Sequence, residues 1–159
     1  MNLRNALTIV ATFAVMCFSS AYAQNSIPLT VVLVGGEQKE LSLEVLDSLD
    51  QVSFSTSTIW TDGIHQFSGV PISSLIQHLN ADGELLKLYA LNDYSVEMPV
   101  AELEEEVPII ATRIDGATMS VREKGPYWIM FPFDDSPDYQ TESNYARSVW
   151  QLKRIDLLE

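Results

Sequence analysis

Cysteine is nearly missing from this chain: Cys17 is the only one, and it sits in an apolar stretch close to the start. Beyond it there is no thiol for a disulfide, a zinc–thiolate site or a cysteine nucleophile. Histidine is almost as scarce. His65 and His78 are the only two, too few for the three or four convergent ligands of an ordinary zinc-type site. Basic residues are few as well, with 9 Lys and Arg against 22 Asp and Glu and a net charge of −13. Such a balance repels nucleic acid and anionic lipid, so neither is an expected partner. Gly-x-Ser-x-Gly elbows and Gly-rich phosphate loops are absent, which removes the usual esterase and nucleotide-binding readings. Repeats and low-complexity tracts are also absent, so a single domain is expected.

What is present begins with an export pattern. Arg4 supplies a positive start, Ala6 to Phe18 is apolar apart from Thr8 and Thr12, and Ala21-Tyr22-Ala23 fits a cleavage site. The apolar run is well short of the roughly 20 residues that span a bilayer. We therefore expect residues 1–23 to be a signal peptide and residues 24–159 the mature domain, periplasmic and not inserted in the membrane. Cys17 is followed by Phe18 and Ser19 before the cleavage site, which is not a lipidation context. Cleavage removes the cysteine together with Arg4, leaving a more acidic domain that only packing holds together.

Along that domain, Leu29 to Val34 is β-branched and apolar and runs into Gly35-Gly36, a strand followed by a turn. Ser42 precedes Leu43, Leu46 and Leu49, whose spacing predicts a short capped helix over Leu41 to Leu49. Val52, Phe54, Thr56 and Thr58 alternate with serines, as in a strand with one buried face. Pro71 opens a helix with Ile72, Leu75, Ile76 and Leu79 facing inward. Leu85 to Leu91 and Ser95 to Met98 read as strands joined at Asn92-Asp93. A short acidic helix follows over Val100 to Glu106, then a strand from Pro108 to Ile114. Asp115-Gly116 predicts a tight hairpin into Thr118 to Val121. Tyr127 to Phe131 and Ser148 to Leu158 are the last strands. Strands with two or three short helices give an α+β fold.

Few side chains in this pattern suggest chemistry. Asp134, Asp135 and Asp138 share a Pro-flanked loop, which reads as a solvated loop of an acidic protein in preference to a calcium site. Glu102 and Glu104 to Glu106 read as an outer helix face. Met98, Met119 and Met130 are widely separated, as core methionines are. His65 is placed in a loop after Trp60-Thr61-Asp62-Gly63. Aromatic rings are more suggestive. Trp60, Trp128 and Trp150 either line a pocket or cover the core, while Tyr94, Tyr127, Tyr139 and Tyr145 are expected in the core.

Several short motifs, taken in order, resemble the sulfite-oxidase-type molybdopterin-binding domain over roughly Val52 to Leu158. They are Phe67-Ser68-Gly69-Val70-Pro71-Ile72, Asn92-Asp93-Tyr94, the Asp115-Gly116 hairpin, Gly125-Pro126-Tyr127-Trp128-Ile129-Met130-Phe131-Pro132, and Ser148-Val149-Trp150-Gln151-Leu152. The likeness is greatest to short, exported, stand-alone versions of that domain. It implies a mixed-sheet fold of that type in reduced form. In the family, a cysteine thiolate at the end of the early strand ligates molybdenum, and Arg and Lys hold the pterin phosphate. Here the comparable strand end is Ser55-Thr56-Ser57-Thr58-Ile59-Trp60, with hydroxyls where the resemblance calls for sulfur. Trp128 and Trp150 stand where it calls for the two cations. Each charge-assisted phosphate contact is worth about 1.5–3 kcal/mol, so losing two of them and the metal bond removes most of the affinity. Arg113, Arg122, Lys124 and Arg147 are the cations left to compensate by position.

The expectation is therefore a domain without molybdopterin or metal, whose former cofactor cleft binds a small molecule or a partner protein. The external part of a membrane sensor is one such partner. Thr56, Thr58, Trp60, His65, Trp128, Arg147 and Trp150 are the candidate pocket residues. The alternative is a molybdopterin-dependent oxidoreductase with the metal near Thr56, Ser57 or Thr58.

Overall fold

The computed structural model describes residues 27–159, so the expected signal peptide lies outside the described residues. Two five-stranded sheets and three short helices make up the domain. The first sheet is mixed. Its strands are β1 (Leu29–Val32), β2 (Gln38–Leu41), β5 (Leu85–Ala90), β6 (Ser95–Pro99) and β10 (Leu152–Leu158), in the order β2-β1-β10-β5-β6. Only β1 and β10 run parallel. The second sheet is antiparallel and contains β3 (Val52–Ser57), β4 (Ile64–Pro71), β7 (Ile109–Ile114), β8 (Ala117–Thr118) and β9 (Trp128–Met130). Strand β7 is its axis. One edge pairs with β4, and the other pairs with β9 through Ile109 to Ala111 and with β8 through Arg113 and Ile114.

Three hairpins follow from local backbone chemistry. Gly35 and Gly36 both have φ near +90° and turn β1 into β2. At Asp115-Gly116 the φ values are 50° and 79°, the left-handed pair that a tight β7–β8 hairpin needs. Asp93 (φ 67°) turns β5 into β6, helped by the Asn92 side chain, which accepts from the Tyr94 amide at 3.1 Å.

The helices are α1 (Leu43–Asp47), α2 (Ile72–His78) and α3 (Glu142–Arg147). Ser42 caps α1 by accepting from Val45 N. Thr141 caps α3 by accepting from Asn144 N at 3.2 Å. No helix among the described residues is long and apolar enough to cross a membrane. Apolar residues of both sheets, with Leu46 of α1 and Ile72 and Leu75 of α2, form a single core cluster. Met98, Met119 and Met130 belong to it, as expected.

Some elements differ from the sequence reading. His65 is not in a loop but on β4, opposite Thr56. Polar His65, Gln66 and Ser68 conceal this strand in the sequence, but pairing with β3 on one side and β7 on the other supplies its hydrogen bonds. Gln38–Leu41 is an edge strand whose charged side chains suit an exposed position. The acidic helix shrinks to one 3-10 turn, Val100–Glu102, because Leu103 is already extended (ψ 132°). A run of glutamates there would also face the negative end of the helix dipole. The Pro-flanked loop of Asp134, Asp135 and Asp138 holds a 3-10 turn at Pro137–Tyr139 and leads into α3. The last strand begins at Leu152 and not at Ser148, after Gln151 turns the chain with φ 50°.

Candidate functional site

Three segments meet at one end of the domain and leave a pocket of about 290 Å³ between them. The stretch after β3 contributes Trp60; the β5–β6 turn contributes Ala90, Asn92 and Tyr94; and α3 with the chain beyond it contributes Tyr145, Ala146, Ser148, Val149 and Trp150. Each wall is fixed by local bonds. The Thr58 hydroxyl accepts from Trp60 N at 3.1 Å and lies 2.8 Å from the Thr61 hydroxyl, which shapes the bend carrying Trp60. The Tyr94 hydroxyl donates to Ala146 O at 2.9 Å and ties the β5–β6 turn to the end of α3.

The rings form a connected cluster. Trp60 lies 5.8 Å from Trp150, 5.9 Å from Trp128 and 6.0 Å from Tyr145, centroid to centroid, in tilted or edge-on contacts. Such contacts add to the area the rings bury. Trp128 is different in kind. It is fully buried, donates its indole N–H to Ser148 O at 3.1 Å and meets Phe67 edge-on, so it stands in the core behind the pocket wall. Trp60 and Trp150 are half-buried and face the pocket. Tyr94 and Tyr145, expected in the core, line it too. The Asn92-Asp93 turn places Tyr94 just before β6, and the Thr141 cap starts the helix that carries Tyr145.

The remaining candidate residues lie apart from the pocket lining. Thr56 is fully buried; its hydroxyl accepts from Asp134 N and donates to Ser57 O, both at 3.1 Å. Beside it, Asp134 accepts from Ser57 N at 2.6 Å and from the Ser57 hydroxyl at 2.7 Å. These bonds hold the Asp134 carboxyl below the usual carboxylate range, the Ser57 amide first and the hydroxyl second. The His65 Nδ1 lies 2.7 Å from an Asp115 carboxylate oxygen and its Nε2 2.9 Å from Asp62 O. Asp115 and then the Asp62 carbonyl raise its pKa. Arg147 reaches Glu102 at 2.5 Å and Glu97 O at 3.3 Å.

Two observations bear on whether these residues could hold molybdopterin. The end of β3, where the resemblance calls for a thiolate, presents Ser57 with its amide and hydroxyl both given to a carboxylate. Among the described residues the cations are also committed, except Arg122, which is exposed on the 3-10 turn Val121–Glu123 and does not line the pocket. Arg113 forms a two-pronged pair with Asp47, Arg147 pairs with Glu102, Lys153 with Asp93, Arg154 with Asp156, Lys87 with Glu97 and Lys39 with Glu37. Lys124 lies over the Trp128 ring at 5.8 Å. No charged side chain lines the pocket. The donor set does not fit a dianionic, metal-bearing cofactor. Among the described residues no group of three or more His, Cys, Asp or Glu is arranged to hold a metal ion.

No protein-family model matches the chain, and no curated protein matches it. Among solved structures it is similar to the sulfane dehydrogenase SoxCD from Paracoccus pantotrophus, with a TM-score of 0.63 and 15% identity. The match covers 82% of this chain but 38% of that one, so this chain spans well under half of its structural neighbour. At that identity the likeness speaks to architecture alone: the chain has an α+β fold of reduced, sulfite-oxidase-like form.

Proposed function

We propose that this is an exported, non-catalytic domain that binds a small molecule in the Trp60–Trp150 pocket and carries no molybdopterin. The observation that carries the reading is an open pocket walled by four aromatic residues with no charged side chain in its lining. Apolar walls with a few polar groups are what small-molecule sites need. The volume is near the lower limit of such sites, ~300 Å³, which suits a compact ligand better than an extended pterin cofactor. Asp134 also supports the absence of the cofactor, because its carboxylate occupies the donors at the end of β3 and would repel an anionic metal–dithiolene group. A binding domain of this kind suits the extracytoplasmic side of a membrane sensor, with ligand occupancy passed to a partner.

The test is to export the chain from a host that makes molybdopterin, then measure metal content and intrinsic fluorescence together. The expected result is molybdenum far below stoichiometric, with tryptophan emission that responds to small apolar ligands. Near-stoichiometric molybdenum with extractable pterin would overturn the proposal.

A further inference from the structure

The polar atoms around the pocket divide unevenly. Several of its acceptors already hold partners: Ala146 O takes the Tyr94 hydroxyl, Ser148 O the Trp128 indole, Asn92 Oδ1 the Tyr94 amide and Val149 O the Ile129 amide. Its donors do not. The indole N–H groups of Trp60 and Trp150 and the Asn92 amide nitrogen make no hydrogen bond among the described residues. The wall therefore offers flat apolar faces and indole and amide donors that a ligand acceptor can take.

Resting on the pocket reading above, we infer that the occupant is a neutral, planar aromatic molecule of one or two rings carrying a hydrogen-bond acceptor, such as an aryl ketone. Ring faces stack on such a molecule, and its carbonyl oxygen takes an indole N–H. An anion would lose its hydration here without gaining a cation, in a chain whose net charge is −13. An ammonium ion would meet ring faces but could accept nothing from the indole N–H groups, which would stay unpaired against it. The volume of about 290 Å³ limits the ligand to roughly a fused bicycle.

Four probes that share one ring system separate these possibilities: 2-acetylnaphthalene, naphthalene, 2-naphthalenesulfonate and trimethyl(2-naphthyl)ammonium. The chain has three tryptophans, so ¹⁵N labelling gives three indole signals, assigned with Trp60→Phe and Trp150→Phe. 2-Acetylnaphthalene is expected to bind about tenfold tighter than either charged probe and several-fold tighter than naphthalene, since one neutral hydrogen bond is worth about 1 kcal/mol. It should move the Trp60 or Trp150 indole proton downfield and leave Trp128, already bonded to Ser148 O, little changed. Equal binding of naphthalene would overturn the acceptor requirement, and tighter binding of the ammonium or sulfonate would overturn neutrality; both leave the pocket standing. If none of the four moves the Trp60 or Trp150 signal, the pocket reading itself fails.

Discussion

Asp134 closes the end of β3 on Ser57: one carboxylate accepts the Ser57 amide at 2.6 Å and its hydroxyl at 2.7 Å, across 77 positions of sequence. Thr56 completes the clamp from within by accepting the Asp134 amide. Thr56→Val keeps the shape but leaves that amide without its partner, in a site where the threonine is fully buried. Its expected cost is about 1–3 kcal/mol, the usual penalty for a buried group left unpaired. Urea unfolding should show a lower midpoint with an unchanged slope.

The same clamp sets an acid limit. Hydrogen bonds from Ser57 depress the folded-state pKa of Asp134. Its contribution is therefore complete above the unfolded value of about 3.9 and disappears as pH falls through the depressed folded value. Thermal midpoints measured as pH is lowered from about 5 should drop less steeply in Asp134→Asn than in the parent. An identical slope in both would mean that the clamp contributes nothing to the folded state.

His65 works in the opposite direction. Both ring nitrogens face acceptors, the Asp115 carboxylate and Asp62 O, and a neutral ring can donate to only one of them. Its raised pKa means that the stabilisation is full below about pH 6.5 and is lost as pH rises through the folded-state value. The bond to Asp62 O anchors the bend that carries Trp60. Alkaline titration should therefore lower the thermal midpoint and shift tryptophan emission together, and His65→Gln should remove both responses.

How much of this could be read from sequence depended on whether each signal was local. Ser42 before α1, the Asp115-Gly116 hairpin and the Ile72/Leu75 stripe each declare themselves within a few residues, and each appears in place. Strand β4 does not, because its polar residues become a strand only when β3 and β7 flank them. The pocket divided the same way. Trp60 and Trp150 were recognised as candidates, yet Trp128 could not be told from them until its indole was seen bonded to Ser148 O. Tyr145 does pack against the core, as its sequence suggests, but Tyr94 is exposed, because sequence does not say which ring ends face inward. Thr56 is a pocket candidate in the sequence, as a hydroxyl at the strand end, but it is fully buried against Asp134, a partner too distant in sequence to be guessed.

Gly69 shows how a residue in a family-like motif can have a purely steric purpose. A Cβ at this position would lie 1.9 Å from Ile110 O and 2.8 Å from the Ala111 Cα, both backbone atoms of β7. The β4–β7 register shifts between Ser68 and Gly69, and the missing side chain lets the two strands approach there. Gly69→Ala must push β7 away from β4 and disturb the core side chains of Ile109 to Ala111. A cost of about 3 kcal/mol or more is expected, at the upper end for overpacking. The variant should be recovered in poor yield, with a thermal midpoint well below the parent's.

Trp128 and Trp150 should part company under the same substitution. Trp128 is fully buried against Trp60, Phe67 and Trp150, with its N–H engaged. Trp128→Ala opens a large cavity and leaves Ser148 O unpaired, at a cost of about 3–5 kcal/mol. Trp150 is half-buried, lines the pocket and has no indole partner among the described residues. Its replacement by alanine removes less buried area and should cost roughly half as much. Ligand binding reverses the order. At temperatures where both variants are folded, Trp150→Ala should lose about tenfold or more in affinity for 2-acetylnaphthalene, given the area and the hydrogen bond removed. Trp128→Phe, which preserves a ring in the core, should lose only a few-fold. If Trp128→Phe abolished binding while Trp150→Ala bound like the parent, the ligand would sit deeper than the pocket described, on the Trp128 side of the cluster.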